Sequence, residues 1–207
     1  MGTRVLLISH AATPAMRQGR FPADDPLDAR GIADATAWRE RLPPIEDAVA
    51  FSSPAPCARD TAQALGLAIR VAPDLVDVDY GQWRGRRLAE VAEDTPHELA
   101  AWSRDAYAAS HGGESFVQVI ARVGGWLDAL DGTASVVAVT SAPVIRAALI
   151  HALNAPPASF TRIEIAPLSV VELRRSARGW AWWPAQCTDP RKRWCRRLPS
   201  RTLRLWK

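Results

Sequence analysis

Residues 5–13 read VLLISHAAT, an apolar run that stops at a histidine. Four large aliphatic residues in a row, Val5 to Ile8, predict a strand that is buried on both faces, as in parallel sheets covered by helices. His10 then falls at the carboxyl end of this strand. Ligands of open α/β sheets bind at that edge, because loops and helix N-termini converge there. A lone histidine after a strand also fits a purely structural role. Whether His10 is functional therefore depends on the rest of the sequence.

Two further strand-like runs are each followed by a predicted helix. ASVVAVTS, at 134–141, is apolar on both faces and leads into a helix predicted for about 143–153. AVAFSS, at 48–53, precedes a helix predicted for about 57–66. Alternating strands and helices are typical of an α/β protein. The sequence therefore predicts a three-layer α/β/α sandwich with a mostly parallel central sheet.

The remaining elements are predicted from periodicity and from turn residues. Asp28 is a candidate N-cap for the first of the additional helices. Residues 74–87, DLVDVDYGQWRGRR, have no helical period and predict an ordered loop. The other predictions are helices at about 29–42, 88–94 and 96–108, a helix that starts at Ser115 or Glu114 and runs to Leu130, and strands at 161–165 and 168–175.

The size and the cysteine content indicate a single intracellular domain. A chain of 207 residues is long enough to bury a sizeable core. Its three cysteines are an odd number, and their spacing matches neither a zinc site nor a redox pair. Reduced thiols are typical of the cytoplasm. No apolar run is long enough for a signal peptide or a membrane span. We therefore predict a cytoplasmic protein without a metal site.

The positive charge is concentrated at the C-terminus. The chain has a net charge of +4, but residues 184–207 contain eight Lys or Arg and a single acid. We predict one domain over residues 1–183 and a basic tail over residues 184–207. Arginines beside Trp194 and Trp206 are compatible with binding to nucleic acid or an anionic surface. The alternative, which we favour, is a solvated extension without fixed structure.

Six blocks of the sequence resemble the histidine phosphatase superfamily, the phosphoglycerate mutase-like proteins, in their order and spacing. They are LLISHAAT (6–13), GRFPADDPLDARG (19–31), FSSPAPCARDTAQAL (51–65), DVDYGQWRG (77–85), GGES (112–115) and VVAVTSAPVIRAAL (136–149). The resemblance covers about residues 4–175. It implies hydrolysis of a phosphorylated small molecule through a phosphohistidine, without a cofactor, and binding of inorganic phosphate.

The resemblance also implies roles for particular residues. His10 matches the histidine that attacks the phosphoryl group. Asp77 matches the acid that protonates the leaving oxygen, and Asp79 is a second candidate for that acid. Arg59 matches a phosphate-binding arginine, and the alternative is a surface arginine that reaches solvent. Thr13 and Ser53 match small polar residues that line the same pocket.

Two positions depart from the family pattern. Ser9 stands where the family has an arginine before its nucleophilic histidine, and Ser141 stands where it has a second histidine. Phosphoryl transfer depends on cations that hold the equatorial oxygens, and serine cannot replace the planar fork of an arginine. Removing one comparable donor from an active site costs about a hundredfold to a thousandfold in rate.

Three residues are candidates to compensate for these losses. They are Arg17 and Arg20, in the loop after the first strand, and His111, just before GGES. For the two arginines the alternative is an ion pair with one of the loop aspartates.

Two functions of different class follow. The chain is either a phosphomonoesterase that uses His10, or a pseudophosphatase that binds phosphate or a partner protein. A serine nucleophile beside His10, either Ser9 or Ser141, is disfavoured. Ser141 lies at a strand-to-helix turn, but TSAPV lacks the glycines of a nucleophile elbow. The sequence specifies neither the substrate nor an oligomeric state.

Overall fold

Six strands form one sheet in a computed structural model that describes residues 2–43, 47–130 and 135–184. The strands are β1 (Arg4–Ser9), β2 (Val49–Ser52), β3 (Ile69–Val71), β4 (Ser135–Thr140), β5 (Val170–Ser176) and β6 (Gly179–Trp183). Their spatial order is β3-β2-β4-β1-β5-β6. The first four strands pair in parallel, whereas β5 and β6 are antiparallel. The prediction of a mostly parallel sheet is confirmed.

Helices cover both faces of this sheet. They are α1 (Pro14–Arg17), α2 (Ala29–Trp38), α3 (Pro56–Ala64), α4 (Leu88–Asp94), α5 (Pro96–Arg104), α6 (Phe116–Asp128) and α7 (Ala142–Leu153). Because side chains alternate along a strand, Leu6 and Ile8 share a core cluster with residues of α3. Val5 and Leu7 share the opposite cluster with residues of α6 and α7. The three-layer arrangement is therefore confirmed as well.

Capping residues fix where two of the helices begin. The Asp28 carboxylate accepts a hydrogen bond from the Gly31 N–H at 2.9 Å, as expected of the N-cap of α2. Ser115 caps α6 and forms a reciprocal capping box with Gln118. Both helices start at the residues where the sequence predicted them.

The strand predicted at 161–165 is wrong. A 3-10 segment occupies Pro157–Arg162, and irregular backbone follows it. The Ile163 carbonyl accepts a hydrogen bond from Arg146 Nε on α7 at 2.6 Å, so this segment packs against a helix and does not join the sheet. Conversely, β3 was not predicted, because it has only three residues on an edge of the sheet.

Two helices end four residues earlier than predicted. α2 stops at Trp38 and continues as one 3-10 turn to Arg41. α5 stops at Arg104, where the Asp105 carboxylate accepts the Tyr107 N–H at 2.9 Å and forms a local turn.

Two further predictions concern membrane-spanning helices and the C-terminal tail. Within the described ranges, no helix is long and apolar enough to cross a membrane. Residues 185–207 lie outside the described residues, and so does the predicted basic tail with its nucleic-acid alternative.

Candidate active site

A cavity of about 180 Å³ lies where β1 and β4 end. Backbone hydrogen bonds continue just beyond the strand ends. The His10 N–H, after β1, donates to the Thr140 carbonyl of β4 at 2.8 Å. The Ser53 N–H, after β2, donates to the Val139 carbonyl of β4 at 2.9 Å. The carboxyl ends of parallel strands therefore bring distant segments of the sequence to one edge, as the sheet-edge rule predicts.

The His10 ring is held in one orientation by the loop that follows β1. The side chain is 7% exposed, and Nδ1 lies 2.8 Å from the Ala11 carbonyl. That carbonyl can only accept, so Nδ1 carries a proton, and in the neutral ring the lone pair is on Nε2. Thr61 of α3 fixes the loop, because its hydroxyl oxygen accepts the Ala11 N–H at 3.0 Å. Nε2 has no hydrogen-bond partner among the described residues.

Asp77 reaches the cavity from the loop after β3. Its Oδ1 accepts hydrogen bonds from the Ser141 hydroxyl at 2.7 Å and from the Val78 N–H at 2.8 Å. Burial raises the pKa of the Asp77 carboxyl, while the Ser141 hydrogen bond and the charge of His10 oppose that rise. A carboxyl with a raised pKa beside a histidine is an arrangement suited to proton transfer.

Two side chains hold the Asp77 loop against the rest of the molecule. The Thr140 hydroxyl donates to the Leu75 carbonyl at 2.8 Å. Arg122 Nη1 donates to the carbonyls of Asp74 at 2.7 Å and Val76 at 3.0 Å. The position of the acid therefore depends on both β4 and α6.

Half of the predicted site residues line this one cavity. They are Ser9, His10, Thr13, Asp77 and Ser141. The Thr13 hydroxyl is also the N-cap of α1, because it accepts the Met16 N–H at 3.2 Å.

Arg59 is not brought to the cavity. It is exposed on α3, whereas Cys57 is buried and lines the cavity. Residues two apart on a helix point about 200° apart, so the two side chains leave α3 on opposite sides. The signal was present in the sequence: Cys57 and Thr61 lie on one helical face, and Arg59 lies on the polar face.

The predicted compensating arginines are also engaged elsewhere. Arg17 forms an ion pair with Asp28 and donates to the Ala12 carbonyl at 2.8 Å. Arg20 donates to the Gly85 carbonyl at 3.0 Å and to the Gln18 side chain at 3.0 Å. Neither arginine lines the cavity.

Ser53 and His111 are buried outside the cavity lining. The Ser53 hydroxyl oxygen accepts the Ala55 N–H at 3.3 Å, at the entrance to α3. His111 is 1% exposed, and its Nδ1 accepts the Gly113 N–H at 3.1 Å. Its ring packs against Trp83 with the centroids 4.9 Å apart. The structure thus gives both residues a place in the framework around the site.

Among the described residues, those that line the cavity include no arginine or lysine. Three carboxylates face it instead, those of Asp24, Asp25 and Asp77, together with the Tyr80 ring. Asp24 forms an ion pair with Arg84 at 2.6 Å. In the described part of the chain, no cluster of three or more potential metal ligands is found. The arrangement supplies an imidazole and an acid, but it lacks the cations that hold phosphoryl oxygens.

This fold, with a histidine after the first strand, is matched by a known family. The model of the histidine phosphatase superfamily (branch 1) matches residues 5–184, and the chain belongs to that superfamily.

Curated relatives include proteins with and without an assigned activity. A protein of Mycobacterium tuberculosis described as bifunctional is 34% identical over 185 residues, covering 82% of this chain and 50% of its own length. A glucosyl-3-phosphoglycerate phosphatase of the same species is 35% identical over 127 residues, covering 58% of this chain and 56% of its own length. The chain therefore spans about half the length of these relatives.

Solved structures share the whole fold. A mycobacterial glucosyl-3-phosphoglycerate phosphatase in complex with VO3 is 28% identical, with a TM-score of 0.77 over 87% of this chain and 96% of the other. An Escherichia coli protein described as an alpha-ribazole-5'-P phosphatase has a TM-score of 0.79 over 87% of this chain and 94% of the other, at 20% identity. The second likeness concerns the fold alone.

Proposed function

We propose that this chain keeps the pocket of its superfamily but has lost efficient hydrolysis of phosphomonoesters. The observation that carries the proposal is the absence of any arginine or lysine from the described cavity lining. A phosphoryl group in transfer spreads negative charge over its equatorial oxygens, and fixed cations are the main means of stabilising it. The loss of two such donors reduces the rate by roughly 10⁴ to 10⁶, if the two effects multiply.

The carboxylates strengthen this argument. Asp25 and Asp77 line the cavity and form no ion pair within the described ranges. A phosphate dianion placed in this cavity meets the negative charge of Asp25 in a partly desolvated site. The function supported by this geometry is that of a pseudophosphatase whose pocket binds another ligand, or whose fold binds a partner protein.

A second function is favoured by the two groups that remain. His10 presents the Nε2 lone pair to the cavity, and Asp77 lies in the same cavity. These are the nucleophile and the acid of a phosphohistidine mechanism. The second proposal is therefore slow hydrolysis of a phosphorylated small molecule. Several relatives are named as phosphatases of this substrate class.

Hydrolysis of p-nitrophenyl phosphate by the purified chain distinguishes the two functions. We expect the same background rate for the wild type and for His10→Ala, because the nucleophile alone cannot stabilise the transferring group. A wild-type rate that is well above background and that disappears in His10→Ala would overturn the pseudophosphatase proposal. Circular dichroism of both proteins shows whether the variant is folded.

The proposal also includes the cellular location of the protein and its domain organisation. We place the protein in the cytoplasm, with one domain followed by a basic tail from residue 184. Cell fractionation tests the first point. Limited proteolysis tests the second, since cleavage confined to the last two dozen residues is expected.

A further inference from the structure

The cavity holds hydrogen-bond acceptors that have no donor among the described residues. His10, 7% exposed, faces the cavity, and its Nε2 accepts no hydrogen bond. Asp77 uses Oδ1 for Ser141 and Val78, whereas its Oδ2 accepts no hydrogen bond from the described part of the chain. Both residues line the cavity, so these two acceptors are available to a ligand that donates.

The charges around the cavity favour a cation over an anion. The N-termini of α3 and α7 open on the cavity and contribute a partial positive charge of about one half each. The hydroxyl of Ser141, the N-cap of α7, donates a hydrogen bond to the Asp77 carboxylate. The Asp77 carboxylate is therefore the anion beside the α7 N-terminus. Asp25 adds a second carboxylate without an ion pair in the described ranges. With Asp25 and Asp77 both ionised, the sum of these charges is negative.

The remaining walls are apolar. Met16, Pro22, Pro143 and the Tyr80 ring line the cavity together with the polar groups. A volume of about 180 Å³ holds a small ligand, or one end of a larger ligand. A short alkyl chain against these walls would extend from a polar group that lies between His10 and Asp77.

We propose that the cavity binds the ammonium group of a small primary amine, with Asp77 as its counter-ion and His10 Nε2 as a second acceptor. A primary amine fits better than a quaternary one, because both acceptors require N–H donors. The inference rests on the proposed function, since an amine site requires that phosphate is not the ligand. Burial raises the pKa of Asp77, and a bound ammonium would supply the missing counter-charge.

Matched four-carbon ligands test the inference on the full chain. n-Butylamine, 1-butanol, butyrate and inorganic phosphate are titrated separately while amide NMR shifts are recorded. We expect saturable shifts around the cavity with n-butylamine, and none with butyrate or phosphate. Asp77→Asn should weaken amine binding by about tenfold or more, the effect of losing a hydrogen bond to a charged group.

A charge-matched control separates a local effect from a change in overall charge. Asp34 is exposed on α2 and does not line the cavity. Asp34→Asn removes the same charge and should leave the affinity for n-butylamine unchanged.

Three outcomes would overturn the inference. They are equal binding of 1-butanol and n-butylamine, equal weakening by Asp77→Asn and Asp34→Asn, and saturation by phosphate without saturation by the amine. The hydrolysis assay is independent of all three. If no ligand binds and no hydrolysis occurs, the amine site is excluded while the pseudophosphatase proposal stands.

Discussion

At the scale of single residues, the chemistry of the pocket depends on three small side chains. Ser9, Cys57 and Ser141 line the cavity, and each of them is short and uncharged. Burial raises the pKa of the Cys57 thiol to about 12, so the thiol stays neutral at physiological pH. Ser141 is tied to Asp77 and is unavailable as a phosphate donor while that bond is made.

Placing cationic and imidazole groups at these three cavity positions should create a phosphatase. We expect the triple variant Ser9→Arg/Cys57→Arg/Ser141→His to hydrolyse p-nitrophenyl phosphate at least about a hundredfold faster than the wild type, the minimum effect of one such donor. Steady-state kinetics measure the gain. Adding His10→Ala should abolish it.

Arg59 provides the matched control for this gain. It lies in the same helix turn as Cys57 but is exposed and does not line the cavity. Arg59→Ala in the triple variant should therefore leave the rate unchanged. A folded triple variant without any gain would mean that the pocket has been remodelled beyond these three positions.

At the scale of elements, an aromatic cluster supports the loop that carries Asp77. Tyr80, Trp83 and Trp102 surround the His111 ring, with centroid distances of 4.9 to 6.4 Å. Gly81 has φ +47°, and a Cβ at this position would lie 2.1 Å from the His111 carbonyl oxygen. Only glycine fits this close approach, so the two loops are locked together behind the cavity.

The buried histidine of this cluster makes stability depend on pH. Burial lowers the pKa of His111, and its Nε2 has no hydrogen-bond partner in the described structure. The unfolded chain therefore binds a proton more readily than the folded chain, so stability rises with pH. We expect full stability above the ordinary histidine pKa of 6.5, and a loss as pH falls below it through the lowered value.

Urea denaturation between pH 7.5 and 5 measures this dependence. His111→Phe should lower the stability at pH 7.5, because the Gly113 N–H loses its acceptor, but it should flatten the change with pH. The exposed His97 is the control, and His97→Gln should keep the wild-type slope. An unchanged slope in His111→Phe would assign the dependence to another group.

At the scale of the whole molecule, the central strands join the two helical layers. β1 lies between β4 and β5, and consecutive residues of β1 contribute to opposite core clusters. The same strand ends at Ser9 and so places His10 at the cavity. The packing of the core and the position of the candidate nucleophile are therefore set by one element.

A truncation in this strand should destabilise the entire domain. Leu7 is fully buried in the larger core cluster, so Leu7→Ala should reduce the free energy of unfolding by about 2 to 5 kcal/mol. Val71, on the edge strand β3, is 51% exposed, and Val71→Ala should cost much less. Equilibrium unfolding in urea compares the two variants, and similar losses would contradict the assignment of the core.

Much of the fold could be predicted from local patterns. The runs that are apolar on both faces identified β1 and β4, because only a strand covered on both faces can bury four such residues in succession. The helix at Leu88–Asp94 has the predicted bounds. The run at 161–165 misled the prediction, because Ile163 and Ile165 pack against the core without pairing with a strand.

The sequence by itself determined the family, the two central strands β1 and β4 and the sheet edge at which His10 lies, because apolar runs and short motifs can be recognised without the tertiary structure. Only the tertiary structure decided that Cys57 faces the cavity while Arg59 does not, and that Arg17 and Arg20 are held elsewhere. The direction of a side chain depends on the rotation of its helix against the sheet. Its bonding partners come from distant parts of the chain, and the spacing of residues in the sequence does not carry that information.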